Sequence, residues 1–217
     1  MQDLVEQTLY QKGELEIVII DNASEQNERG IVEEFQSKYS HIVYHRTPQR
    51  ETLYASWNRG IKTSRGEYIT NANTDDRHRL DALEIMANYL DGNSEASVVY
   101  ADQLITYTPN ETWSTTKATK KFNWPEFSYS ELQKRYIIGP QPMWRKSLHE
   151  KYGYFRDRYK SSGDYEFWLR VGRTENLVRL PETLGIYYWN PEGLSTAPES
   201  ARSVQSITTK PYSLIRP

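Results

Sequence analysis

Side chains that could bind a divalent cation follow two apolar segments in the first half of the chain. Asp21 comes directly after the apolar run 15–20, and the sequence Asn-Thr-Asp-Asp at 73–76 follows the short segment 67–72. Oxygen ligands of this kind suit Mg²⁺ or Mn²⁺, and a diphosphate can complete the coordination. The two aspartates of 73–76 would equally suit the first turn of a helix, whose dipole favours negative charge. These residues alone leave both interpretations open.

The elements that must position these acids alternate along the first half of the chain. The run 15–20 is β-branched and almost unbroken, which predicts a parallel strand covered on both faces. Apolar spacing then predicts, in order, a helix around 31–35, a strand at 41–45, a helix at 53–62, a strand at 67–72, a helix at 80–90 and a strand from 97. This alternation favours an open, mainly parallel α/β sheet, whose strand ends would bring Asp21 and 73–76 to one crevice.

The pattern changes after Asp102. Turn residues at 109–110 predict a hairpin between 103–108 and 112–115, and two prolines make 139–144 an irregular loop. Helices are expected near 129–135 and 164–171, followed by a late strand at 184–189.

Composition excludes several classes of function. Lys and Arg number 27 against 29 Asp and Glu, so the basic excess that a nucleic-acid partner requires is missing. Cysteine is absent, which removes disulfides and thiolate chemistry and fits a reducing compartment. No apolar run approaches the length of a membrane span. The cytoplasm is the expected location.

Three strings taken together resemble the family-2 glycosyltransferases of GT-A fold. They are Asn58-Arg59-Gly60-Ile61, Gly66-Glu67-Tyr68-Ile69 and Asn73-Thr74-Asp75-Asp76. The resemblance implies a Rossmann-like α/β fold with a mostly parallel central sheet. It also implies a single domain over 1–190, with a nucleotide-binding half at 1–101, an acceptor half at 102–190 and a C-terminal tail at 191–217.

The resemblance also assigns residues to the donor. The donor-binding residues would be Asp21, Asn22, Ser24, Asn58, Arg59, Asn73 and Asp75. Asp75 and Asp76 would hold Mg²⁺ or Mn²⁺. Asn73 stands where the family usually has the first acid of an Asp-x-Asp motif, and it offers a carbonyl oxygen without charge. Arg59 would contact phosphate, or would simply be a solvated helix residue.

The segment 161–170 resembles the family's acid-Asp motif beside the acceptor. By that resemblance Asp164 would be the general base for an inverting transfer, although an Asp after Gly is also a good helix N-cap. Glu166 ranks second as a base, or is a solvated acid of the first turn. Trp144 would stack on an acceptor sugar or anchor its loop in the core.

These assignments imply a hexosyltransferase. The expected donor is a nucleoside diphosphate sugar, most readily a UDP-sugar, and the acceptor is a carbohydrate or a lipid-linked sugar. Bacterial surface polysaccharide or lipopolysaccharide synthesis is the expected pathway, which would allow peripheral association with the inner face of the membrane.

Members of the family open with a central strand, whereas this sequence begins within the helix that follows it, so we expect a chain truncated at its N-terminus with the first strand missing. The alternatives are an inactive carbohydrate-binding or scaffold domain and a nucleotidyltransferase.

Overall fold

Helices and strands alternate through the first half of the protein. The computed structural model describes residues 1–194 and 196. The helices are α1 Gln2–Val5, α2 Thr8–Gln11, α3 Glu28–Lys38, α4 Leu53–Thr63, α5 Ala82–Gly92, α6 Tyr129–Leu132, α7 Leu148–Tyr152 and α8 Gly163–Val171. The strands are β1 Ile17–Asp21, β2 Ile42–Arg46, β3 Tyr68–Thr70, β4 Arg77–His78, β5 Ala96–Thr106, β6 Lys121–Phe122, β7 Met143–Arg145 and β8 Asn176–Tyr188. The predicted tail at 191–217 falls for the most part outside the described residues.

The strands form two sheets. β1 and β2 pair in parallel, with Ile17 opposite Ile42, as expected for strands that flank a helix. The larger sheet has the order β3-β7-β5-β8-β4, with β6 added to β5. In it β5 is parallel to β8 and antiparallel to β7. The sheet is therefore mixed, whereas the alternation of strands and helices predicted a mainly parallel one, because β4, β6 and β7 all pair antiparallel with their neighbours.

The central strand β5 carries the core on both of its faces. Val98 and Tyr100 belong to an aromatic cluster with residues of α8, whereas Val99 and Ala101 belong to a second cluster with residues of α5. Neighbouring residues of a strand point to opposite faces, so this division places helices on both sides of the sheet. On α5 the buried residues Leu83, Met86, Ala87 and Leu90 follow the i, i+3, i+4, i+7 spacing of a helix that packs on one face.

One edge of each sheet opens onto a cavity. Among residues 1–194 and 196, β1 pairs only with β2 and β3 pairs only with β7. Residues 17–20 of β1 and 68–70 of β3 both line a cavity of about 1460 Å³. Side chains of α4 and of the start of α8 complete its wall.

The predicted hairpin at 103–108 and 112–115 is wrong in its second strand. Gln103 and Leu104 of β5 pair with Phe122 and Lys121 of β6. The threonines of 112–116 instead form a turn in which Thr116 N–H donates to the Thr112 carbonyl at 2.9 Å. Threonine hydroxyls that bond locally compete with the bonding of a strand.

No helix within 1–194 and 196 combines the length and the apolar character that crossing a bilayer would need.

Leu90 provides a test of the core beneath the sheet. It is completely buried, so Leu90→Ala should lower the free energy of unfolding by about 2–5 kcal/mol through lost burial and a residual cavity. Leu80→Ala is the matched control, because Leu80 is 49% exposed and its truncation should change stability by less than about 0.5 kcal/mol. Urea denaturation measures both, and equal losses would contradict the packing described.

Candidate active site

The loop after β3 is fixed by its amide side chains. Asn71 Nδ2 donates to the Pro140 carbonyl at 2.8 Å, and Asn73 Nδ2 donates to Asp76 Oδ2 at the same distance. The other oxygen of Asp76 accepts from the backbone N–H of Tyr188 at 3.0 Å. The loop is thus held against the segment before β7 and the end of β8, although most of its residues lie beyond any strand.

The two adjacent acids of this loop have different environments. Asp75 is exposed and lines the cavity. Asp76 is only 4% exposed, and burial raises its pKa to about 6 even though Asn73 and Tyr188 donate hydrogen bonds to it. Of the predicted metal ligands Asp75 and Asp76, only Asp75 therefore offers an open carboxylate.

A cation at this loop would depend on ligands from the substrate. Within the described part of the chain, no group of three or more His, Asp or Glu side chains is arranged to hold a metal ion by itself. Mg²⁺ in phosphate-transfer sites is commonly held by one or two carboxylates together with phosphate oxygens. The donor set around Asp75 fits that kind of site. Asn73 donates to Asp76 through Nδ2, so its carbonyl oxygen, which accepts from Asn71 at 3.4 Å, stays a candidate ligand.

Asp164 lies in the first turn of α8 and lines the same cavity. The Tyr54 hydroxyl donates to its Oδ1 at 3.0 Å. Burial raises the pKa of Asp164, while the backbone N–H of Tyr165 and the hydroxyls of Tyr54 and Tyr136 act in the opposite direction. The N-cap of α8 is Ser162, so the alternative interpretation of Asp164 as the N-cap is wrong. A carboxylate with a raised pKa at a cavity wall is suited to accept a proton.

The structure does not support the predicted contact between Asp21 and the donor. The Asp21 side chain is 1% exposed, and it accepts hydrogen bonds from Arg46 Nη1 at 2.6 Å, from the Ser24 backbone N–H at 2.8 Å and from the Tyr44 hydroxyl. Its carboxylate is thereby engaged by the protein itself. Asn22 does line the cavity, but its amide also pins the loop before α4 through two bonds to the Glu51 backbone.

The donor-binding roles predicted for Asn58 and Arg59 are likewise not supported. Asn58 bonds to the backbone N–H and carbonyl of Phe155 at 3.0 and 2.7 Å, which joins α4 to the segment before α8. Arg59 is exposed and forms an ion pair with Glu51 at 2.9 Å. Neither side chain lines the cavity, so the alternative of a surface role holds for Arg59.

Both predicted acceptor-side residues are buried. Trp144 is 1% exposed, its Nε1 donates to His149 Nε2 at 2.9 Å, and its ring packs on Trp168, so no face is open to a sugar. Glu166 is completely buried and pairs with Arg170 at 2.9 Å and Arg156 at 3.4 Å. Trp144 is therefore a core anchor, and Glu166 is a structural ion pair.

Sequence reasoning missed the tyrosines around Asp164. Tyr54 and Tyr136 both line the cavity close to the carboxylate. Tyr54 is 110 residues away from Asp164 along the chain, and its spacing in α4 is that of an ordinary buried helix residue. No local pattern in the sequence links it to Asp164.

Comparison with known proteins places these features in a family. Residues 1–166 match the family described as glycosyl transferase family 2. An uncharacterized glycosyltransferase of Methanocaldococcus jannaschii, MJ1057, is 24% identical over 159 residues, which cover 71% of this chain and 52% of that protein. The chain thus spans about half the length of this relative.

Solved structures with the same fold include TarS and a mannosyltransferase. TarS 1–349 from S. aureus, in complex with UDP-GlcNAc, matches 95% of this chain and 60% of its own with a TM-score of 0.73 and 19% identity. The mannosyltransferase PcManGT from Pyrobaculum calidifontis, in complex with GDP-Man and Mn²⁺, matches 88% of this chain and 52% of its own with a TM-score of 0.66 and 14% identity. These similarities confirm the predicted GT-A fold.

The hydrogen bonds to Asp21 predict a pH dependence of stability. Burial alone would raise its pKa, but the bonds from Tyr44, Ser24 and Arg46 lower it from 3.8 to about 2. A carboxylate whose pKa is lowered by folding stabilises the protein above its unfolded value, and this stability is lost as the pH falls from about 4 towards 2. Asp21→Asn should therefore cost about 1–2 kcal/mol at pH 7 and remove part of the acid sensitivity.

Urea unfolding at pH 7 and at pH 3 measures this effect. Asp157→Asn is the control, since Asp157 is exposed and lies outside the cavity. An Asp21→Asn variant with the same acid sensitivity as the wild type would contradict the role given to these bonds.

Proposed function

The chain belongs to glycosyltransferase family 2, and on that premise we propose that it transfers a hexosyl group from a nucleoside diphosphate sugar to an acceptor hydroxyl. The observation that carries this proposal is that Asp75 and Asp164 line one cavity. Asp75 follows β3 and is exposed, whereas Asp164 is the second residue of α8 and accepts a hydrogen bond from Tyr54. A diphosphate-binding end and a proton-accepting end are what this reaction requires.

We propose that the Asp75 end receives the diphosphate. Mg²⁺ or Mn²⁺ bound to Asp75 would act there as a Lewis acid that offsets the charge of the departing nucleoside diphosphate. Asp76 supports the loop from beneath, because its two oxygens accept from Asn73 and Tyr188. The P. calidifontis mannosyltransferase with GDP-Man and Mn²⁺ supports this choice of cation.

In this proposal Asp164 is the base that takes the proton of the acceptor hydroxyl. The acceptor oxygen attacks the anomeric carbon and forms a new C–O bond, while Asp164 takes the hydroxyl proton. The bond between the anomeric carbon and the phosphate oxygen breaks, and its electron pair leaves with the nucleoside diphosphate. Attack from the face opposite the leaving group inverts the anomeric configuration.

The proposed donor rests on similarity to solved structures. The proposed acceptor and pathway rest on the resemblance of the sequence motifs to the family. A UDP-sugar is the favoured donor, since TarS is known in complex with UDP and with UDP-GlcNAc. Because the mannosyltransferase is known in complex with GDP-Man, the experiments below also use GDP-mannose. The acceptor is a carbohydrate or a lipid-linked sugar in bacterial surface polysaccharide synthesis. We place the reaction in the cytoplasm, at the inner face of the membrane, within a single domain over 1–190.

Asp164→Asn tests the proposed base. The substitution keeps the shape and the bond from Tyr54 but removes proton acceptance, so turnover should fall about 10²- to 10⁴-fold. Release of nucleotide from UDP-GlcNAc and from GDP-mannose measures turnover, and calorimetric titration should give an unchanged dissociation constant for the donor. Asp157→Asn is the exposed-acid control and should retain wild-type turnover. Full activity in Asp164→Asn would rule out this base.

Asp75→Asn tests the proposed metal ligand by binding alone. Titration with UDP-GlcNAc and with GDP-mannose, each with and without Mn²⁺, should show that Mn²⁺ tightens binding to the wild type and not to Asp75→Asn, because the variant lacks the open carboxylate. Glu95→Gln provides the control, since Glu95 is exposed and outside the cavity. Equal enhancement by Mn²⁺ in the wild type and in Asp75→Asn would disprove the assignment.

A further inference from the structure

We propose that Tyr54 is a positioning residue for Asp164, and that position 163 is glycine because the ring of Tyr54 occupies the space of a side chain there. The inference rests on the proposed role of Asp164 as the base. It adds a residue that no motif of the sequence identifies, and it explains the glycine before Asp164, where the acid-Asp motif described above has its first acid.

Tyr54 is held rigidly on α4. It is 3% exposed, and its ring packs on Trp57 and Phe155 with centroid separations of 5.5 and 5.9 Å. α4 itself begins at an N-cap, Thr52, whose side chain accepts from the Ala55 backbone N–H at 3.2 Å. The phenol hydroxyl therefore reaches Asp164 Oδ1, at 3.0 Å, from a fixed ring.

Gly163 provides the space for that ring. A Cβ at 163 would lie 2.6, 2.7 and 2.9 Å from three ring atoms of Tyr54, closer than carbon atoms can approach without displacing the ring. Gly163 is in a helix and needs no left-handed backbone. The close approach of the Tyr54 ring is therefore what leaves no room for a side chain at 163.

The phenol has two effects on the carboxylate. It fixes the rotation of Asp164 by donating to one of its oxygens, Oδ1. It also favours the ionised form, against the burial that raises the pKa of Asp164. Burial and the negative charge of Asp164 keep the pKa of Tyr54 well above its ordinary value, so Tyr54 remains a donor at every working pH.

Few other titratable groups act on Asp164. Tyr136, ahead of β7, faces it, but its hydroxyl also donates to the Gly139 carbonyl at 2.8 Å. Glu166 of α8 is bound to Arg170 and Arg156. The acids Asp75 and Asp76 lie elsewhere on the cavity wall. The Tyr54 hydroxyl, by contrast, donates to Asp164 Oδ1 at 3.0 Å from a ring that is held by aromatic packing.

The decisive experiment is the pH dependence of nucleotide release from UDP-GlcNAc and GDP-mannose by Tyr54→Phe. Phenylalanine keeps the ring and its packing but removes the donor. The acidic limb of the kcat profile should move up by about one pH unit, and kcat below that limb should fall about tenfold, with KM for the donor unchanged. Tyr100→Phe is the matched control, because it removes a buried hydroxyl that donates to the Pro125 carbonyl outside the cavity and should leave the profile in place.

Gly163→Ala tests the space separately. It should displace the Tyr54 ring and reproduce the upward shift, whereas Gly92→Ala, at a helix end with no atom within 4 Å, should not. An unshifted profile in Tyr54→Phe overturns the inference even if Gly163→Ala does not fold. Asp164→Asn separates the two claims: its full activity would defeat the proposed base, whereas its inactivity beside an unshifted Tyr54→Phe would defeat the positioning role alone.

Discussion

The cost of taking a carboxylate out of water decides the role of each acid in this protein. A buried carboxylate needs donors, and the acids that receive a full set of them are structural. Asp21 is satisfied by Arg46, Tyr44 and Ser24, and Glu166 by two arginines. Asp102 follows the same rule, since it is 2% exposed and bound by Arg179 at 2.9 Å and by the Trp124 backbone N–H.

Asp75 and Asp164 depart from this pattern in different ways. Asp75 is exposed at the cavity, so its carboxylate needs no donors from the protein. Asp164 is at the cavity wall, with one oxygen bound by Tyr54 and a pKa raised by burial. A raised pKa makes a carboxylate a stronger proton acceptor. The fold thus separates acids that hold the structure from acids that remain available for chemistry.

Most strands and helices of the first half can be predicted from the sequence, because apolar runs and their spacing are local signals, whereas 139–144 is predicted as an irregular loop and contains the start of β7. The candidate roles of Asp75 and Asp164 come from short strings that resemble the family's motifs. The side chains of Asp21, Asn58 and Trp144 are held by partners from other segments: Arg46 on the next strand, Phe155 before α8 and the ring of Trp168. Hydrogen bonds and packing contacts between segments that are distant along the chain produce no periodic pattern in a single sequence. The pairing of Tyr54 with Gly163 escaped prediction for the same reason.

The central claim is that the acceptor oxygen attacks the anomeric carbon from the face of the sugar opposite the diphosphate, while its proton passes to Asp164. The most direct measurement is proton NMR of the first sugar product formed from whichever of UDP-GlcNAc and GDP-mannose the protein turns over. The account predicts that the anomeric configuration of that product is opposite to the one in the donor. A first product with the donor's own configuration would contradict it.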